Sequence, residues 1–286
     1  MNVLWFFSAI PRPHRPLPCS KGAIMTDAGH YLAQMRATAP LVHNITNFVA
    51  MNIMANVQLA AGASPAMVHA REEVAEFAAL SQALTVNIGT LDPAWAEAME
   101  LAAGAMNAAE RPWVLDPVGA GATRLRLEVS ARLVALRPTV IRGNPSEVLA
   151  LAGTLATGRG VDTTDSVDTA EQAAQDLARR TGAVVAVSGP VDYITDGVAS
   201  FRVDNGHPLM PRVTALGCAL NGIIASFLVG QPALPATVAA MAYYGLAGEL
   251  AARHAAAPGS FQTAFVDALY QLTPDELTLG ARVTDG

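Results

Sequence analysis

Short apolar runs in this chain end in turns rich in Gly, Asn, Asp or Ser, and longer segments with apolar residues spaced i, i+3, i+4 lie between them. The pattern predicts helix over 26–36 with Thr26 or Asp27 as cap, then a short extended piece, an apolar helix and a turn over 62–65 within 40–66. Further on, strands are expected over 84–88, 113–115, 139–141 and 183–187. Helices are expected over 71–80, 93–109, 126–136, 145–152 and 166–180. Residues 192–195 and 199–203 read as a hairpin about Asp196 and Gly197. An apolar run at 208–213 reads as a short strand, a small-residue turn follows it, and the apolar helix after that turn extends to Phe227. Two more helices, 237–254 and 260–270, complete the pattern. Such alternation implies an α/β fold with a mostly parallel central sheet and helices on both faces.

Composition narrows the class. A hydrophobic fraction of 52% over 286 residues allows a large core. No apolar stretch is long enough to span a membrane. A net charge of −6 argues against a nucleic-acid or anionic-membrane surface. The two cysteines, Cys19 and Cys218, are far apart, which fits a reducing cytoplasm and not a disulfide framework. The only lysine is Lys21. A P-loop and a pyridoxal Schiff base both need a lysine in the folded part, so both are excluded. Residues 1–24 carry Pro11, Pro13, Pro16 and Pro18 and read as an irregular extension, with Met25 as the expected true start. Residues 25–286 are expected to form one domain.

In open α/β sheets, ligands bind beyond the carboxyl ends of the strands. The chemistry expected there is coherent. Asp116 and Glu147 are hard oxygen donors suited to Mg²⁺. Arg142 suits a phosphate, Gly119 and Gly121 admit close backbone approach, and Ser188 can donate a hydrogen bond. Residues 214–218 (Thr214, Ala215, Leu216, Gly217, Cys218) open a helix whose free N–H groups favour an anion, and Cys218 is expected there to ionise more readily than an ordinary thiol. A tight turn with a small buried cysteine is the plain alternative. His43, Asn44, Thr46 and Asn47 are either helix caps or the lining of a small-molecule pocket, and Met67 is open to a core role. Together these parts suit phosphoryl transfer.

Several motifs then stand in order: PLVHNITN (40–47), GASPAM (62–67), NIGTL (87–91), LDPVGAGAT (115–123), IRGNPSE (141–147), GVDTTD (160–165), VTALGC (213–218) and PGSF (258–261). In them the chain resembles the hydroxyethylthiazole kinases, of the ribokinase-like superfamily, over roughly residues 40–270. The resemblance implies ATP-dependent phosphorylation of the hydroxyl of 4-methyl-5-(2-hydroxyethyl)thiazole in thiamine biosynthesis or salvage. It implies that Met67, with Asn47 and Ala215, meets the thiazole, and that Arg142 and Ser188 meet ATP. It implies that Asp116 and Glu147 serve Mg²⁺, and that Cys218 stands where most superfamily relatives carry a catalytic Asp. Thr214 and Gly217 would form the anion hole, and a homotrimer is expected. One departure is central: the family commonly reads Gly-x-Gly-Cys, and this chain has Ala215 at the first glycine. A kinase of another small alcohol, such as a hydroxymethylpyrimidine, and a non-catalytic binder are the competing readings.

Overall fold

The computed structural model describes residues 27–157 and 167–286. The 1–24 extension, Met25, the cap candidate Thr26, the start of the 166–180 helix and the GVDTTD run lie outside the described residues.

The buried apolar runs form β1 (Leu41–Ile45), β3 (Ala83–Asn87), β4 (Trp113–Asp116), β5 (Val140–Gly143) and β6 (Val184–Val187), side by side and parallel. At one edge β2 (Ser64–Met67) pairs with β1, also parallel. Beyond β6, the strands β7 (Asp192–Thr195), β8 (Ser200–Val203) and β9 (Val283–Asp285) run antiparallel. The full order is β2-β1-β3-β4-β5-β6-β7-β8-β9.

Successive side chains of a strand point to opposite faces, and each face here has its own core. Val42, Ala83, Val114, Val140 and Val184 pack against α1 (Ala28–Thr38), α2 (Met51–Ala61), α8 (Leu216–Leu228), α9 (Ala233–Ala252) and α10 (Pro258–Gln271). Leu84, Val86, Trp113, Leu115, Ile141 and Val185 pack against α3 (Val74–Leu80), α4 (Pro93–Ala108), α5 (Arg124–Ala135), α6 (Pro145–Thr157) and α7 (Val167–Thr181). The expected sheet with helices on both faces is therefore what forms. Helices α8 and α9 are apolar on nearly every side and almost wholly buried, as such helices must be. Phe227 and Tyr243 are fully buried between them. Burying an aromatic ring of Phe227's size contributes roughly 2–3 kcal/mol and anchors the last turn of α8 against α9.

Four expectations are corrected. Residues 208–213 form no strand. Pro208 and Pro211 lack the N–H that a ladder needs, and the segment turns through a short 3₁₀ helix, Met210–Arg212. The turn expected over 62–65 ends at Gly62, which caps α2 in the left-handed conformation, and Ser64 onward is strand β2. Pro65 is accommodated there because β2 is an edge strand. The expected helix 237–254 begins four residues earlier, at Ala233. The C-terminus is not helical throughout. After α11 (Pro274–Gly280), residues Val283–Asp285 pair with β8. Helix α11 was readable in advance, because Thr273 and Glu276 make a reciprocal capping box with Pro274 at the first helical position.

Candidate active site

The parallel ladder brings the carboxyl ends of β1, β3, β4, β5 and β6 to one edge of the sheet, beside the first turn of α8. Register pairs Asn87 with Asp116 across β3 and β4. The Asn87 amide donates to Asp116 Oδ2 at 2.7 Å, and Asn221, three residues beyond Cys218 on α8, donates to the same oxygen at 2.6 Å. Asn47, just past β1, donates to Asn87 Oδ1 at 2.9 Å and to Cys218 Sγ at 3.4 Å. Asn47 Oδ1 also accepts from the N–H of Ala50 and braces the turn before α2, whose N-cap is Ala50 with no side-chain cap bond, so Asn47 is not the helix cap. Gly89 is required beside it: a Cβ there would lie 2.7 Å from Asn47 Cβ.

The rest of the polar cluster after Pro40 serves the sheet. The Asn44 side chain oxygen accepts from Gln58 at 3.0 Å and Thr85 at 2.9 Å. His43 Nε2 lies 2.7 Å from the carbonyl of Val68, and burial pushes its pKa down, so the ring stays neutral. Thr46 is buried with an unpartnered hydroxyl. Met67 sits half-buried on the edge strand, paired in register with Asn44.

Arg142, at the end of β5, reaches both sides of the cluster. Its Nη1 donates to the carbonyl of Gly217 at 3.0 Å and its Nη2 to Ser188 Oγ at 2.6 Å, while Nε is buried without a partner. Glu147, in the first turn of α6, accepts from the N–H groups of Gly119 (2.9 Å) and Asn144 (2.8 Å), and Asn144 in turn accepts from the N–H of Glu147. Its carboxylate therefore ties two loops together as a helix cap does.

Burial is the largest influence on Asp116, and it pushes the carboxyl up to about 7. The Arg142 guanidinium opposes that rise, the Glu147 carboxylate adds to it, and the two asparagine amides oppose it again. Two carboxylates close enough to feel each other, one reluctant to ionise alone, suit a hard divalent cation bound by one or two carboxylates plus phosphate oxygens. Both amides on Asp116 use Oδ2, which leaves Oδ1 for such an ion.

Cys218 corrects an expectation. It is the third residue of α8, and its thiol is raised above its ordinary value, first by burial and then by the Asp116 carboxylate. The helix start does not outweigh these two influences. The thiol stays neutral and is suited to orient an acceptor hydroxyl.

Ala215 caps α8 with φ +62°, in the left-handed region, and Thr214 and Gly217 on either side are exposed. The first N–H groups of the helix face the cluster with no intrahelical acceptor. An L-residue in this conformation costs about 1–2 kcal/mol relative to glycine, part of which glycine returns through its looser unfolded chain. Ala215→Gly is expected to stabilise the protein by about 1 kcal/mol, a rise in Tm of roughly 2 °C. Melting curves of the two proteins check this, and a lower Tm for the variant would mean that the Ala215 methyl packs better than it strains.

The structure thus brings together Asn47, Asp116, Arg142, Glu147, Ser188, Gly217 and Cys218. Asn87 and Asn221 were not singled out from the sequence as site residues. An asparagine inside an otherwise apolar helix, such as Asn221, was the signal available. Two surface cavities lie elsewhere. One of about 360 Å³ is lined by His254, Asp267 and Glu276, and one of about 750 Å³ by Arg111 and Arg137 at the amino ends of β4 and β5. Neither includes a carboxyl strand end, where α/β folds bind their ligands.

Comparison with known proteins agrees with this geometry. A ribokinase-like superfamily protein of Enterococcus faecalis V583 superimposes with a TM-score of 0.61 at 12% identity, covering 86% of this chain and 95% of that one, which shows the fold. The structure of a hydroxyethylthiazole kinase protein from Pyrococcus horikoshii OT3 superimposes with a TM-score of 0.85 at 40% identity, covering 91% of this chain and 98% of that one. A hydroxyethylthiazole kinase of Cereibacter sphaeroides is 63% identical over 259 residues, 91% of this chain and 99% of the relative. The model of the hydroxyethylthiazole kinase family matches residues 32–275. By its sequence, over nearly the whole described chain, and by its fold, this chain belongs to the hydroxyethylthiazole kinase family.

Proposed function

We propose that the family's reaction takes place over the first turn of α8, between Asp116, Arg142 and Cys218. The chain is an ATP-dependent kinase of the hydroxyl of 4-methyl-5-(2-hydroxyethyl)thiazole, a step of thiamine biosynthesis or salvage. ATP is the co-substrate. The observation that carries the siting is the hydrogen-bonded joining of Asp116 to Cys218 through Asn87 and Asn47.

In this reading Arg142 and Ser188 hold the nucleotide phosphates, the Arg142 fork being suited to two oxygens at once. The exposed backbone of Thr214 and Gly217 cradles the transferring phosphoryl group. Asp116 and Glu147 would hold Mg²⁺, which supplies charge neutralisation on the phosphates when bound. Met67, Asn47 and Ala215 meet the thiazole, and the neutral Cys218 thiol orients the hydroxyl. The alcohol oxygen forms the new bond to the γ-phosphorus, the bond from that phosphorus to the β–γ bridging oxygen breaks, ADP leaves with the electron pair, and the alcohol proton is released. The homotrimer belongs to the same proposal. It is supported by Phe48 and Val49, which are 65% and 58% exposed beside the site. Among the described residues no helix is long and apolar enough to cross a membrane. The sparse cysteines support a cytoplasmic location.

The test is ADP release with Mg²⁺–ATP and the thiazole alcohol, the hydroxymethylpyrimidine or no acceptor. Turnover with the thiazole alone is expected. Turnover with the pyrimidine alone would keep the fold and move the substrate. Folded protein that binds the thiazole without turnover would make it a binder, with Ala215 the suspect.

A further inference from the structure

The hydrogen bonds around Asp116 close into a ring. From Cys218 Sγ it passes to the amide of Asn47, from Asn47 to Asn87 Oδ1, and from the Asn87 amide to Asp116 Oδ2. The Asn221 amide continues it from Asp116 Oδ2 at 2.6 Å to the backbone carbonyl of Cys218 at 3.1 Å, back where it began. Asn47, Asn87, Asp116 and Asn221 are all buried.

Buried amides are costly unless paired, so two of them on one carboxylate oxygen and a third behind Asn87 need a reason. Packing alone does not provide it. The Asn221 amide donates twice, but its Oδ1 is buried with no partner. Turning the amide over would bring Oδ1 against a carboxylate oxygen, which accepts only donors when ionised. The fold tolerates an unpaired oxygen in order to aim an N–H at Asp116. Asn87 is held the same way: its Oδ1 takes donors from Asn47 and Gly89, which turns its own amide onto Asp116.

We infer that Asn87 and Asn221 are positioning residues that set the spacing between the carboxylate on the phosphate side and the thiol on the acceptor side. The inference rests on the siting proposed above. Neither asparagine is placed on the substrates. Their work is to keep Asp116 Oδ1 and Cys218 Sγ in fixed relation, each belonging to a different structural element, β4 and α8. In-line transfer depends on such spacing, since small misplacements of reacting groups lower rates strongly.

The experiment uses the full chain in a Cys19→Ser background, so that Cys218 is the sole cysteine. Asn221→Leu and Asn221→Asp are compared, with Asn87→Asp as a second site. Leucine keeps the volume and loses both donors, and aspartate keeps the shape and reverses the polarity. Both Asn221 variants are expected to melt cooperatively, to lose about 30-fold in kcat, and to keep the KM for ATP and for the thiazole alcohol within about threefold. The rate at which iodoacetamide alkylates Cys218, measured without nucleotide or acceptor, is expected to change by at least about threefold, because a cut at Asn221 is felt at Sγ around the ring. A kcat within about threefold of the parent in the Asn221 variants, or a loss of kcat that comes with loss of cooperative melting in all three variants, overturns the inference. The alkylation measurement does not depend on the reaction. A parent protein with no thiazole turnover would overturn the proposed function, whereas an unchanged alkylation rate would overturn the ring.

Discussion

Asp116→Asn is expected to reduce kcat by roughly a thousandfold while making the metal-free protein more stable above neutral pH. The first effect follows from removing the best-placed anionic oxygen at the carboxyl end of β4. The second follows from its titration. The carboxyl is raised from 3.8 to about 7, chiefly by burial. Between those two values the unfolded chain has released the proton that the folded chain still holds. Stability therefore falls as pH rises through this window, and the penalty is complete above about 7. A shift of this size corresponds to at most roughly 4 kcal/mol. Asparagine cannot ionise, and its carbonyl oxygen can accept from Asn87 and Asn221 as Asp116 Oδ2 does. Thermal melts at pH 5 and pH 8 check the prediction. The parent should lose stability between them relative to the variant. Added Mg²⁺ should raise the Tm of the parent at pH 8 and leave the variant unmoved, since only a state that binds the ion gains from it. A fully active variant would remove Asp116 from the machinery, and parallel melting at both pH values would sink the titration argument.

Arg142→Ala is expected to raise the KM for ATP by roughly 10- to 100-fold and to lower kcat as well. The guanidinium serves two sides at once. It donates to Ser188, where the nucleotide is proposed to lie, and to the carbonyl of Gly217 in the first turn of α8. It also opposes the rise in the Asp116 pKa, so its loss makes that carboxyl still harder to ionise. Arg142→Lys separates the two contributions. A lysine keeps the charge beside Asp116 but cannot bridge Ser188 and Gly217 with a rigid fork. The lysine variant should recover part of kcat and little of the ATP affinity, as read by steady-state kinetics and by calorimetric ADP binding. An unchanged KM for ATP in the alanine variant would sink the assignment.

Much of the fold could be read from local pattern. The runs around Leu84, Val114 and Val185 had the composition of strands buried on both faces, and the segments between them had helical spacing. Where the structure departs from that pattern, the segment is short and carries too little of it to decide its own state. Residues 208–213 were apolar enough for a strand, but Pro208 and Pro211 removed the donors a strand would have needed. Val283 is the one buried residue of β9, and its place in the sheet comes from β8 beside it. Within the site, Asp116, Arg142, Glu147 and Cys218 could be picked out because charge and sulfur are conspicuous at the ends of apolar runs. Asn87 and Asn221 could not, because a neutral amide looks alike as a cap, a core residue or a clamp until its partners are known. The Cys218 thiol departs from its local pattern for a related reason: the helix start favours the thiolate, but the burial and the carboxylate that oppose it arrive from elsewhere in the chain.

The alternation of elements, the two-faced sheet, the family, and the residue types available at the strand ends are all set by side chains within one turn or one strand of each other. That Asn87 and Asn221 meet on one oxygen of Asp116, that Glu147 ties two loops together, and that Ala215 sits at φ +62° appear only once the chain is folded. Those facts depend on the register of β3 against β4 and on where α8 comes to rest on the sheet, and both are set by burial summed over the whole core.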